Sequence, residues 1–220
     1  MTVEQARRYL ERAPEAVHIR PSNRMFFLQP DLSVPLLARA EGNHQKAVET
    51  MAQLIHDVGM GAARCGITKL VIINGHGGNG PALAFAAQMI NRDAHIFTCV
   101  ESGETSDVDL AELCETANDV HAGEVETSTA LATRPELVNL ARAESFVPEF
   151  SSRYLNFSAR RSVEWYARTA KISNSGVLGD PTRATAEKGR EMWEIMVRNL
   201  VELVEHLKAL TLEEIYERRY

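Results

Sequence analysis

Apolar positions along this chain follow two rhythms, and they alternate. Between residues 46 and 63, Val48, Met51, Leu54, Ile55 and Val58 recur at helical spacing, which predicts a helix with one inward face. Gly66 follows, and then the unbroken apolar run Leu70-Val71-Ile72-Ile73 predicts a buried strand. Residues 81–90 predict a second helix, with Pro81 near its start, where a missing N–H costs little. His95–Val100 predicts another strand. Thr127–Ala132 reads as the start of a helix that ends before Pro135. Residues 183–209 read as a long helix with Ala186, Met192, Ile195, Met196, Leu200, Leu203 and Leu207 on its apolar face. At the N-terminus, Val3, Ala6, Tyr9 and Leu10 predict a helix over 2–13, closed by Pro14, and Ala16–Ile19 predicts a short strand. Pro21, Pro30 and Pro35 break the pattern over residues 20–44. Residues 103–120 are acidic and read as surface. Residues 145–175 lack periodicity and read as loops around a site.

Helices alternating with strands imply an α/β fold, a mostly parallel sheet sandwiched between helices. The 220 residues suit a single domain over 1–220. In such sheets ligands bind beyond the carboxyl ends of the strands. The loop after Ile73 lies at such an end.

Composition narrows the function classes. A net charge of −6 argues against nucleic acid as a partner, since phosphate binding favours a basic surface. No run approaches the roughly 18 apolar residues that span a membrane. The first residues carry early acidic groups and no apolar core, so they do not read as a signal peptide. Cys65, Cys99 and Cys114 form no CxxC pattern and read as reduced, buried thiols of a cytoplasmic protein.

Two segments carry the chemistry. In Asn74-Gly75-His76-Gly77-Gly78-Asn79 the glycines remove side chains around one histidine, so the backbone can approach a ligand closely. The spacing fits neither GxGxxG nor a P-loop. In His121-Ala122-Gly123-Glu124-Val125-Glu126, an imidazole and two carboxylates share six residues. Such groups bind zinc or manganese and move protons. Glutamates are also favoured in a helix first turn, which is the plainer reading of Glu124 and Glu126 taken alone. His56, His95, Trp165 and Trp193 read as structural, Arg160-Arg161 as surface charge. His44, in a polar cluster before a helix, is open to either reading.

These segments resemble the creatininase (creatinine amidohydrolase) family. Asn74–Asn79 is similar to its NGHGGN loop, His121–Ser128 to its HxGxxETS segment, and Ser175–Gly189 to its GVxGDPxxAT…KG stretch. The resemblance covers about residues 42–205. It implies two zinc or manganese ions, oligomers often built as hexamers, and hydrolysis of C–N bonds in small polar, often cyclic, amides. It implies His76 and Glu126 as metal ligands and His121 as the proton-transferring histidine. Gly77, Gly78 and Asn79 would form the substrate or oxyanion loop. Asp31, His44 and Glu124 are weaker candidate ligands.

The chain departs from the family in one respect. The usual Glu-x-His of the first metal-binding strand does not occur before His76. Either Asn23 and Met25 stand in its place, with Asp31 as the bridging aspartate, or that strand lies upstream of Met1. The expectation is therefore a metal-dependent amidohydrolase of small molecules, homo-oligomeric, with no more than one tightly held ion. The alternative is a catalytically silent or truncated relative serving as a binding or structural subunit. If the site assembles, His76 and Glu126 converge to within roughly 5 Å, close enough to share an ion.

Overall fold

The computed structural model describes residues 25–28, 44–157, 163, 165, 167 and 169–216, with backbone alone for 25–28 and 44–47. The expected helix over 2–13 and strand over 16–19 lie outside these residues, as do Asp31 and Arg160-Arg161. The elements are β1 (Met25–Leu28), α1 (His44–Arg64), β2 (Lys69–Ile73), α2 (Gly80–Asp93), β3 (Phe97–Glu101), α3 (Asp107–Leu113), α4 (Glu124–Thr133), α5 (Ala186–Ala209) and α6 (Leu212–Ile215). They fall into two compact units, one drawn from residues 1–104 and 201–220, the other from 105–200.

In the first unit β1, β2 and β3 run parallel in that order, with Val71 beside Phe27 and Cys99. Alternation along β2 decides which side chains face which layer. Leu70 and Ile72 pack with Met51 and Ile55 of α1 and with Leu83, Ala86 and Ile90 of α2. Val71 points the other way, onto Leu207, Leu203 and Val204 near the end of α5. The sheet is thus covered on both faces, as the unbroken run at 70–73 requires. The Lys69 ammonium donates to the carbonyls of Leu207 (2.6 Å) and Leu210, satisfying acceptors that the end of α5 leaves open. On the side of β3 away from β2, an edge among the described residues, the Asn91 side chain pairs with both backbone groups of Thr98, donating to its carbonyl at 2.8 Å and accepting from its N–H at 2.6 Å.

Several expectations shift. A strand, β1, lies inside the proline-broken stretch that gave no pattern. The strand expected over 95–100 starts at Phe97, and His95 is exposed beside it. The acidic stretch 103–120 holds a helix, α3, and buries Ser106. Helix α4 begins at Glu124, three residues before Thr127. The thiols are all free, but Cys65 is exposed rather than buried, while Cys99 and Cys114 are half-buried. Burial pushes the Cys99 and Cys114 thiols up to about 11, with Glu101 and Glu124 respectively adding to the shift. No described helix is long and apolar enough to cross a membrane.

Since the thiolate is the nucleophile, iodoacetamide at about pH 8 should label Cys65 quickly and leave Cys99 and Cys114 largely unmodified in the folded chain. Peptide mapping after a timed quench reads this directly, and rapid modification of Cys99 would contradict the burial described.

Candidate functional site

One candidate segment, in the first unit, is the loop leaving β2. The Asn74 amide donates to the Glu101 carbonyl (2.8 Å), which fixes the loop to the end of β3. The Asn74 side chain then organises the remainder of the loop. Its Oδ1 accepts from the His76 amide and from Asn79 Nδ2, both at 3.2 Å, and its Nδ2 donates to Ser102 Oγ. His76 is extended (φ −158°, ψ 131°), and its Nδ1 accepts from the Gly78 amide at 3.0 Å, capping the short 3-10 turn Gly77–Asn79. His76 is exposed and Asn79 is buried. A methyl group built on Gly75 or Gly77 would meet nothing within 4 Å, and neither residue has a positive φ. The chain itself therefore has no steric need for glycine there. The open space lies toward solvent, where a ligand would stand.

The bonding narrows the expected oxyanion loop. The amides of Gly78 and Asn79 and the Asn79 side chain are all engaged within the loop. The Gly77 amide has no partner among the described residues. It is the donor free to meet a substrate oxygen.

The other candidate segment, in the second unit, is the start of α4. Asp119 sets it. Its Oδ1 accepts from the Glu124 amide (2.7 Å) and its Oδ2 from Val125 (2.9 Å), so a carboxylate meets the open N–H groups of the helix start. Gly123 and Gly179 let this happen. Their Cα atoms are so close that a Cβ on Gly123 would stand 3.0 Å from the Gly179 Cα, and a Cβ on either would collide with the Asp119 carboxylate. Gly179 also has φ +152°, which an L side chain rarely adopts. Leu178 and Gly179 are zipped on both sides, Leu178 to His121 and Gly179 to Phe146 through paired backbone bonds. The stretch Ser175–Gly189 thus acts as the splint that holds the His121 segment. Asp180 begins the turn into α5; Thr182 holds its carboxyl below the ordinary value against the effect of burial.

Glu124 is fully buried. Burial alone would raise its carboxyl, but Lys188, Thr116 and the Glu115 amide outweigh that and hold it below the ordinary 4.5. Lys188 Nζ lies 2.6 Å from Glu124 Oε1, and Oε2 accepts from Thr116 Oγ1 (2.6 Å) and from the amides of Glu115 and Thr116. Both carboxylate oxygens are engaged inside the chain. Glu126 is different. It is half exposed, its Oε2 accepts from the Ala122 amide at 2.6 Å, and that oxygen lies 3.7 Å from His121 Nδ1. Ala122, between them, has φ +50°, a left-handed conformation for a residue with a Cβ. The bend at Ala122 and Gly123, ahead of α4, places His121 and Glu126 together and open to solvent.

A cleft of about 680 Å³ opens beside this segment, lined by Ala122 and Thr127, the wall 138–144, and Ser175, Val177 and Pro181. Asp119, Lys188, Thr116 and the cleft wall were absent from the sequence-predicted site. Asp119 could have been found as an acid shortly before a helix start; the others face the site through contacts distant in sequence.

For a metal, the donor types suit zinc or manganese, but the number is short. Among the described residues no group of three His, Cys, Asp or Glu side chains gathers around one point. His76 belongs to one unit and Glu126 to the other. The Gly78 bond at Nδ1 also places the neutral ring proton on Nε2. Coordination through Nε2 requires that bond to break and the proton to move to Nδ1. The His44 backbone opens α1.

The creatininase family model, described as creatinine amidohydrolase, matches residues 6–204. A mycofactocin precursor peptide peptidase from Mycobacterium ulcerans (strain Agy99) is 33% identical over 198 residues, covering 84% of this chain and 71% of that protein. Its counterpart from Mycobacterium tuberculosis (strain H37Rv) is 34% identical over 184 residues, covering 79% and 65%. The chain thus spans about two thirds of the length of these relatives. Among solved structures, a proposed creatinine amidohydrolase from Bacteroides fragilis NCTC 9343 is 29% identical with a TM-score of 0.62, covering 74% of this chain and 63% of that one. A structure of creatininase with Mn in its name has a TM-score of 0.58 at 23% identity, covering 74% and 65%, and supports the fold.

Loss of the Lys188 charge should cost about 3 kcal/mol, because it strands a buried carboxylate. Because the Glu124 value is lowered, the pair stabilises above 4.5, and the contribution fades as the pH falls through the folded-state value. Urea unfolding of Lys188→Met should therefore show the deficit at about pH 7 and a smaller one at about pH 3. Equal deficits would assign the effect to packing.

Proposed function

The chain belongs to the creatininase family, and on that premise we propose that it is a metal-dependent hydrolase that cleaves a C–N bond of a peptide. The observation that carries this is the half-exposed His121–Glu126 pair at 3.7 Å, one residue from a cleft of about 680 Å³. That room, and relatives named as peptide peptidases, favour a peptide over the small cyclic amide expected from the resemblance.

By the family resemblance, His76 and Glu126 would each be a ligand to zinc or manganese, with Asp31 or His44 as further donors. Bound there, such an ion supplies Lewis-acid polarisation of the carbonyl and lowers the pKa of a water. Glu124 stays out of this set, because its oxygens serve Lys188 and Thr116. His121 holds the proton that the leaving nitrogen needs. Glu126, 3.7 Å from the imidazole, is placed to offset the charge of its protonated form, and the Ala122 amide holds Glu126. The free Gly77 amide offers a hydrogen bond to charge developing on the carbonyl oxygen. Gly75 and Gly77, bare of side chains, let the backbone come that close.

His121→Ala should lower peptide hydrolysis by about two or more orders of magnitude with metal content nearly unchanged. Loss of metal along with activity would make His121 a ligand. Elemental analysis should find at most one tightly bound divalent ion per chain. A ratio near zero, with no hydrolysis after adding zinc or manganese, would favour a silent subunit over an enzyme.

A further inference from the structure

The cleft in the second unit is larger than a proton-transferring histidine needs. At about 680 Å³ it lies within the roughly 300–1,000 Å³ that accommodates a drug-sized ligand. One side carries Ala122 and Thr127 of the His121 segment. The other is the wall Val138–Glu144, and Val177 and Pro181 add apolar surface. A single-ring amide would leave most of this space to water.

The wall carries one cation, Arg142, and one acid, Glu144. The carbonyls of Asn139 and Leu140 are spent on the amides of Arg142 and Ala143, and Asn139 Oδ1 accepts from Ala141. Asn139 Nδ2 and the Glu144 amide have no partner among the described residues. Arg142 is exposed and forms no ion pair with any described carboxylate. A guanidinium with spare donors beside it suits a carboxylate. Glu144 is the one acidic side chain in the lining, and it marks the end of the wall where a substrate acid would not lie.

We infer that this cleft is the recognition groove for a peptide whose apolar residues lie over Leu140 and Val177 and whose acidic group pairs with Arg142. The inference rests on the hydrolase reading above for its purpose, but not for its test, which measures binding. The chain carries a net charge of −6, so its overall field repels an acidic peptide. A preference for acid must then arise locally.

The test uses the full-length chain, stripped of metal, and two fluorescein-labelled, alanine- and leucine-containing hexapeptides that differ in one residue, Glu or Lys. Fluorescence anisotropy should show the Glu peptide binding about tenfold more tightly, the scale of one charge-assisted pair. Arg142→Glu should reverse the order. Leu140→Trp, which fills the cleft from an exposed position, should weaken both peptides. Equal binding of the two peptides by the unaltered chain, or an acid preference that survives Arg142→Glu, would overturn the inference. Circular dichroism of each variant guards against misfolding. Binding that behaves as described without any hydrolysis on adding zinc or manganese would sink the enzyme reading and leave the groove standing.

Discussion

The second unit depends on one buried charge. Glu124 sits at the first residue of α4 with no exposure to water, and such a group persists only where every oxygen is answered. The answers come from three places: Lys188 of α5, Thr116 after α3, and the backbone at Glu115. Together they bind the segment before the helix, the helix itself and the helix that follows the splint. Asp119 does the complementary task on the other side of the same turn. Two acids thus fix where α4 begins, and the start of α4 fixes where His121 and Glu126 stand.

The first unit meets a similar demand differently. The loop after β2 carries no charge pair at all. Its shape comes from Asn74, whose amide group serves as donor and acceptor at once, and from a histidine that caps the turn it belongs to. This economy has a chemical side. The ring nitrogen that caps the turn is not available as it stands to another partner, so the loop is shaped for one state of His76 and must alter its bonding to adopt another.

Much of this was legible in the chain. The runs at 46–63 and 70–73 are long or uniform enough that burial dictates their form, and α1, β2 and α2 appear where periodicity puts them. Residues His76, His121 and Glu126 stand out because their segments have little structural reason to combine imidazole, carboxylate and glycine. Other features were hidden. β1 lies among prolines and spans only four residues, too short for a pattern. Residues 103–120 look like a solvated acidic stretch because Asp119 and Thr116 find their partners only after folding. Glu124 and Glu126 are two residues apart and chemically alike, yet a helix turn sends one into the core and the other to solvent. No spacing rule separates them; only the surroundings do. The cleft has no sequence signature, since its lining is gathered from separate stretches between Ala122 and Pro181.

Asn91 has a consequence for how copies of this chain can meet. A strand at the margin of a sheet offers a ladder to any passing strand, and unguarded margins template aggregation. By answering both backbone groups of Thr98 with one side chain, α2 withdraws the middle of β3 from that exchange. Growth of the sheet is opposed at this one position of the described border. A strand arriving at Thr98 would first have to displace the Asn91 side chain, so pairing of main chains there carries a cost that contact between side-chain surfaces does not.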